Sequence, residues 1–279
     1  MKIHINTNKM STKEWLRERC DSIGASDCGA ILGVSPWKTP LDIYYDKVNK
    51  NIEESDAFHL WLGNALEPVI KKRLKMEHNL IVHNDNKMRY DMVYPYMSAN
   101  LDGWVVHEKV PVEYKTAGHW DIIPDTYYAQ LQHQMMVTQT PYCYMAVLVL
   151  GYNRRLILEK YERDDEFITI MRKKLVQFWS NHVRNEQPPE PICERDCRLR
   201  FPEHKEDTCI EADDEIIKDV FRLLTLRDEK KGLDKEKATL TTNVMKYMQD
   251  NEILTWGEDR VVVWRKSGKS RRFIVKDGR

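Results

Sequence analysis

Hydrophobic positions along this chain change their period several times, and each change marks an element. Residues 12–80 read as mostly helical, with breaks at Pro36 and Pro40. Within them Trp61–Met76 carries Leu66, Val69, Ile70 and Leu74 at helical spacing. Residues 81–115 read as strands, ending in two arms, Trp104-Val105-Val106 and Val110–Lys115, around a turn at His107-Glu108-Lys109. A helix follows over 125–139, then strand-like arms Tyr142–Gly151 and Arg155–Tyr161. Asp164–Asn185 reads as a helix with the stripe Phe167, Ile168, Met171, Leu175 and Phe178. It stops before Gln187-Pro188-Pro189-Glu190-Pro191, which cannot continue a helix. That segment is the expected boundary between a core, 1–190, and a C-terminal extension, 191–279. In the extension, Ala212–Lys230 and Leu233–Gln249 read as a helical hairpin about Gly232, with Ile216, Val220, Leu223 and Leu224 packing on Leu240, Val244 and Met248. Val261–Trp264 and Arg272–Val275 then read as a short β-hairpin.

Composition adds a constraint on partners. Hydrophobic content of 42%, with 8 Trp and 13 Tyr, supports a real core, and net charge is zero. A protein that grips a polyanion by Lys and Arg must therefore cluster them. One cluster is visible: Trp264 to Arg279 holds seven Lys or Arg against the single Asp277. It reads equally as a solvated terminal strand. The N-terminus lacks a long apolar core, and no apolar run approaches the roughly 18 residues of a membrane span, so a soluble, cytoplasmic protein is expected. Six cysteines in such a chain read as free thiols. Cys193, Cys197 and Cys209 with His204 lack the tight paired spacing of a zinc site.

The densest chemistry lies around the predicted turn. If it centres near residue 108, Asp102 stands opposite about position 114, a cross-strand neighbour of Glu113 and Lys115. Strand alternation places Glu113 and Lys115 on one face and Tyr114 on the other. An exposed Glu-x-Lys is also an ordinary solvated face. Two carboxylates and an ammonium converging on a hairpin, however, suit a hard divalent cation such as Mg²⁺. Such an ion polarises a phosphoryl oxygen and acidifies a bound water, and Lys115 could hold that water or offset charge on a phosphate. Gln130 and Gln134 share one helix face and could donate to a phosphate without adding charge; Gln132 and Gln134 also read as a solvated polar stripe, and His133 as a surface or packing residue. Glu67 near a helix start gains from the helix dipole, which is one explanation of its place. Arg19 offers a planar fork suited to a terminal phosphate. Ser26, before the apolar run Cys28–Leu32, looks like a helix N-cap.

Asp102 … Glu113-Tyr114-Lys115 resembles the D … (D/E)-x-K core of the PD-(D/E)XK nuclease superfamily, departing at Asn100-Leu101 from its optional Pro. Tyr127–Met135 resembles the Gln helix of the branch holding YqaJ-type viral recombinases and lambda exonuclease. Arg19-Cys20-Asp21-Ser22-Ile23-Gly24-Ala25-Ser26 and Trp61-Leu62-Gly63-Asn64-Ala65-Leu66-Glu67-Pro68 resemble two further motifs of that branch, in the right order. The likeness covers about residues 15–190. It lacks the closely spaced C-terminal Cys pair of the related iron–sulfur exonucleases. The resemblance implies an α/β PD-(D/E)XK nuclease core, a central mixed sheet flanked by helices. It implies an exonuclease that uses Mg²⁺, with Mn²⁺ substituting, and digests double-stranded DNA ends from 5′ to 3′. Asp102, Glu113, the Tyr114 carbonyl and Glu67 would hold metal; Lys115 and Gln130 would position and orient the water; Arg19 and Ser26 would bind the 5′-phosphate. It further implies a trimeric or tetrameric ring and a single-strand annealing recombinase as partner, in the host cytoplasm of a phage or prophage system. Another DNase of the superfamily, or a non-catalytic DNA-binding protein, remains the alternative.

Overall fold

A computed structural model describes residues 4–50, 57–257 and 259–276. Residues 51–56 of the predicted helical region, and Asp277 and Arg279 of the basic terminus, lie outside them. Contacts divide the chain into two units, Met1–His204 and Lys205–Arg279.

The first unit opens with β1 (His4–Asn6), α1 (Thr12–Cys20), β2 (Ile23–Gly24), a 3₁₀ turn at Ala25–Asp27, α2 (Cys28–Ile31) and α3 (Pro40–Val48). There follow α4 (Phe58–His78), β3 (Val82–His83), β4 (Lys87–Tyr90), β5 (Met97–Asn100), β6 (Gly103–Val105) and β7 (Val110–Ala117). Then come α5 (Asp125–Thr138), β8 (Tyr142–Val149), β9 (Arg155–Glu162), α6 (Asp165–Phe178) with a π turn at Trp179–Val183, and α7 (Glu194–Arg200). Local chemistry sets the helix starts. Ser11 and Glu14 cap α1 reciprocally, as Thr39 and Asp42 do α3, with Pro40 in its first turn, and Asp164 accepts from the Phe167 N–H.

Five strands form the central mixed sheet in the order β3-β6-β7-β8-β9, with β7 and β8 parallel and the other pairs antiparallel. The parallel pair requires a crossover, which α5 supplies. A second sheet runs β1-β4-β5-β2. Apolar clusters lie on both sides of the central sheet: Ile70 and Leu74 of α4 pack with Val105, Val112 and Tyr114, while Leu131 and Met135 of α5 pack with Met145 and Val147. Val69, expected on the apolar face of α4, is exposed.

Two expectations for the C-terminal part are corrected. The first unit does not end at the proline-rich segment: Asp196 of α7, buried, accepts from Thr39 Oγ1 at 2.9 Å, and Arg195 pairs with Asp42. The helical hairpin is instead one continuous helix, α8 (Asp214–Met248), running through Gly232. A central glycine costs only about 1 kcal/mol against Ala, too little to break a helix supported on both sides. The short β-hairpin is present as part of a three-stranded antiparallel sheet, β10 (Ile253–Trp256), β11 (Asp259–Ser267) and β12 (Ser270–Val275). Among the described residues no helix is long and apolar enough to cross a membrane.

Candidate active site

β7 outruns β6, and the site lies where that pairing stops. The register is Gly103↔Val112, Trp104↔Pro111 and Val105↔Val110. Its extension sets Asp102 against Glu113, one residue from the expected pairing with position 114; the connecting turn has Lys109 at φ 57°. Asp102 still reaches Tyr114 through its side chain, since Oδ2 accepts the Tyr114 N–H at 2.8 Å. Ala117 gives its carbonyl to the Leu150 N–H, on the β8 side. Backbone groups alternate edges along a strand, so the Tyr114 carbonyl points to the opposite edge, beside Asp102. Gly103 is required by close approach: a Cβ there would lie 2.4 Å from Val82 Cγ1 and 2.8 Å from Tyr114 Oη.

Glu113 is the hub. It is 3% exposed, and both carboxylate oxygens are engaged. Oε1 accepts from Lys115 Nζ at 2.6 Å and Gln130 Nε2 at 2.5 Å, while Oε2 accepts from Gln134 Nε2 at 2.6 Å. The i, i+4 spacing of Gln130 and Gln134 on α5 thus brackets one carboxylate. Lys115 Nζ also lies 4.8 Å from the ring centroid of Tyr127, which stacks with both Trp37 and Trp120. Gln132 and His133, read as solvated or incidental, are fully buried with Gln134. Gln132 ties α5 to the start of α6, donating to the Glu162 carbonyl and accepting from the Asp164 N–H.

A cleft of about 390 Å³ opens above this hub, lined by Asn64, Glu67, Asp102, Glu113, Lys115 and Tyr127 among others. Pro68 lacks an N–H to give the Asn64 carbonyl one turn earlier. The electrostatics are those of crowded negative charge. Burial, then Glu113, pushes Asp102 well above the ordinary carboxylate value, and the same two causes raise Glu67. Burial alone would lower Lys115, but Glu113 and Asp102 outweigh it and hold the ammonium protonated beyond its ordinary range. The donors are hard oxygens with more negative charge than Lys115 neutralises, which suits a divalent cation by type. Among the described residues, no three His, Cys, Asp or Glu are drawn together into a metal-holding group.

Arg19 and Ser26 are brought together as well: Arg19 Nη2 donates to Ser26 Oγ at 3.1 Å, with the guanidinium 4.8 Å from the Trp15 ring centroid. Ser26 lies in the 3₁₀ turn and is not a helix cap, because Asp27 takes the position before α2. Sequence reasoning missed what backs this pair. Lys47 is buried and donates to Asp27 Oδ2 at 2.6 Å and to the Arg19 carbonyl at 2.9 Å. Burial pushes the Asp27 carboxyl up, but Lys47 and Arg19 prevail and hold it at about 2. The signal for Lys47 was its position one turn after Ile43, on the apolar face of α3. Trp15 links the two regions: its Nε1 donates to Asn100 Oδ1, and it lines a small cleft with Glu67 and Asp102.

Residues 14–141 match the family of the YqaJ-like viral recombinase domain. The uncharacterized YqaJ protein of Bacillus subtilis strain 168 is 28% identical over 259 residues, spanning 88% of this chain and 81% of its own. An alkaline exonuclease from Laribacter hongkongensis superposes with a TM-score of 0.54 at 19% identity, over 63% of this chain and 94% of that one. A structure of that enzyme in complex with dAMP matches with the same TM-score and coverage at 20% identity. The first unit therefore shares the fold of that alkaline exonuclease, a mixed sheet flanked by helices. The span matched to the family contains Arg19, Ser26, Glu67, Asp102, Glu113, Lys115 and Gln130.

Proposed function

We propose that this protein is a metal-dependent deoxyribonuclease that digests linear double-stranded DNA from 5′ ends and leaves 3′ single-stranded tails. The carrying observation is the Glu113 carboxylate, bracketed by Lys115, Gln130 and Gln134 in a cleft that also receives Asp102 and Glu67. Asp102, Glu113, Glu67 and the Tyr114 carbonyl would hold Mg²⁺, or Mn²⁺ in its place. The cation would supply Lewis acidity at the phosphoryl oxygen and acidify the attacking water. Lys115, kept as an ammonium, would donate to that water or to the phosphate oxygen where charge develops. Gln130 would orient the water, and Gln134 would hold Glu113 in place. Arg19 and Ser26 would take the terminal phosphate, with the buried Lys47–Asp27 pair fixing the turn that presents them. A homo-oligomeric ring and a single-strand annealing recombinase complete the reading, since a ring would retain DNA by topology where net charge is zero.

One observation favours a second reading, a DNA-binding protein without turnover: both Glu113 oxygens are already engaged by the chain's own donors.

Linear duplex labelled at one 5′ end, with and without the 5′-phosphate, in Mg²⁺ or chelator, separates the two. Metal-dependent release of labelled mononucleotide, faster with the phosphate, is expected. Closed circular DNA should resist, and Lys115→Ala should abolish cleavage while leaving DNA binding largely intact. No degradation in any divalent metal would leave the binding reading.

A further inference from the structure

We propose that the β11–β12 hairpin is a docking surface for the phosphodiester backbone of DNA, with Arg265 and Arg272 as its principal contacts. The register Arg265↔Arg272, Lys266↔Arg271 and Ser267↔Ser270 sets like charges directly opposite each other on both faces of one ribbon. Such pairs destabilise a sheet, and from residue 260 to Lys276 the sequence supplies no acidic residue to offset them.

The five cations are not equivalent. Arg271 is structural: its guanidinium donates to the carbonyls of Gln249, Asn251 and Trp264 at 2.7–2.8 Å and stacks 3.8 Å from the Trp264 ring centroid. It pins the ribbon to the end of α8. Lys266 shares that face, and Asp250 and Glu252 line the adjacent cleft, with Arg265 and Ser270 also at its edge. The other face presents Arg265 and Arg272 with the hydroxyls of Ser267 and Ser270, all exposed, and neither arginine has an ion-pair partner among the described residues. Two guanidinium forks and two hydroxyls, all able to donate, match phosphate oxygens. At the tip, Gly268 at φ 62° allows the two-residue turn that exposes Lys269. Contacts to phosphate oxygens carry no base information, so binding through this ribbon is expected to be independent of DNA sequence.

The inference takes its DNA substrate from the proposed function, but its test does not need cleavage. Affinity of the full chain for a fluorescein-labelled blunt duplex is measured in chelator across a salt series. Each lost phosphate contact lowers the log–log salt slope by about 0.9, so Arg265→Gln/Arg272→Gln should lower it by about 2 and weaken binding several-fold on every sequence. The charge-preserving double Lys variant should bind nearly as the parent does, and Lys230→Gln/Lys231→Gln on α8 should leave the slope unchanged. An unchanged slope in the Gln variant overturns the inference. So does equal loss in the Lys variant, which would indicate a damaged fold, or displacement by an acidic peptide but not by unlabelled duplex. Absence of cleavage by the parent, with the expected fall in slope in the Gln variant, would count against the nuclease reading alone.

Discussion

At the residue scale, the polar run Gln132-His133-Gln134 shows what a sequence conceals. Gln132 and Gln134 read in part as a solvated stripe and His133 as a surface or packing residue, yet α5 is buried on nearly every side. Gln134 was legible as an i+4 partner of Gln130, but its carboxylate partner lies 21 positions away in sequence. Residues that orient a ligating group are worth about 10–100-fold in metal affinity or activity. If the proposed function holds, Gln134→Leu is therefore expected to lower turnover by that order and to leave the 5′-phosphate preference proposed for the Arg19–Ser26 region unchanged. An unchanged rate would reduce Gln134 to packing. His133 offers a separate check, because neither ring nitrogen has a hydrogen-bond partner among the described residues and burial lowers its pKa from 6.5 to about 4, against the pull of Asp27 and Asp91. Its folded value lies below its unfolded one, so its contribution to stability is complete above 6.5 and lost as pH falls through about 4. That gap corresponds to something on the order of 3 kcal/mol. Urea unfolding across this window should show the parent losing more stability than His133→Leu. Parallel losses would mean that the ring does not titrate in this way.

At the element scale, most of the first unit was legible because its signals are local. Ser11 with Glu14, and Thr39-Pro40 with Asp42, announce helix starts through reciprocal hydrogen bonds between neighbours. β7, α5, β8 and β9 fall close to where their periods predict. What local signals lack is pairing. The sheet β1-β4-β5-β2 joins His4 to Arg89 and Ile23 to Met97, partners that no periodicity specifies. The one-residue error at Asp102 has the same origin, because the register depends on the conformation of the turn at Lys109. Close helix packing is equally silent in sequence: a Cβ at Gly29 of α2 would lie 2.1 Å from Thr126 Oγ1 and 3.0 Å from the Thr126 Cα on α5. The second contact is backbone, so rotating the threonine cannot relieve it. Gly29→Ala should thus cost about 1–3 kcal/mol, as overpacking does. Retained stability in denaturant titration would show that α2 and α5 separate more easily than this.

At the scale of the whole molecule, the two units differ in how they are stabilised. The first holds three clusters of buried apolar side chains built from its helices and both of its sheets. The second buries few: Met248, Val262 and Val263 are enclosed, whereas Ile216, Phe221, Leu223, Leu233 and Leu240 along α8 are exposed. A helix gains most of its stability from burying a face, and a unit of this size with so small a core lies near the limit of independent folding. A chain ended after His204 should therefore unfold cooperatively, with a melting temperature within a few degrees of the full protein, since about 1 kcal/mol corresponds to roughly 2–4 °C at this size. The fragment from Lys205 onward should give helical circular dichroism that declines gradually on heating, without a sharp transition. If instead the first fragment fails to fold, the buried clusters of Met1–His204 are insufficient and the second unit is part of the folding core. A cooperative melt of the second fragment alone would mean that its three-stranded sheet encloses more of α8 than the exposures of Leu233 and Leu240 indicate.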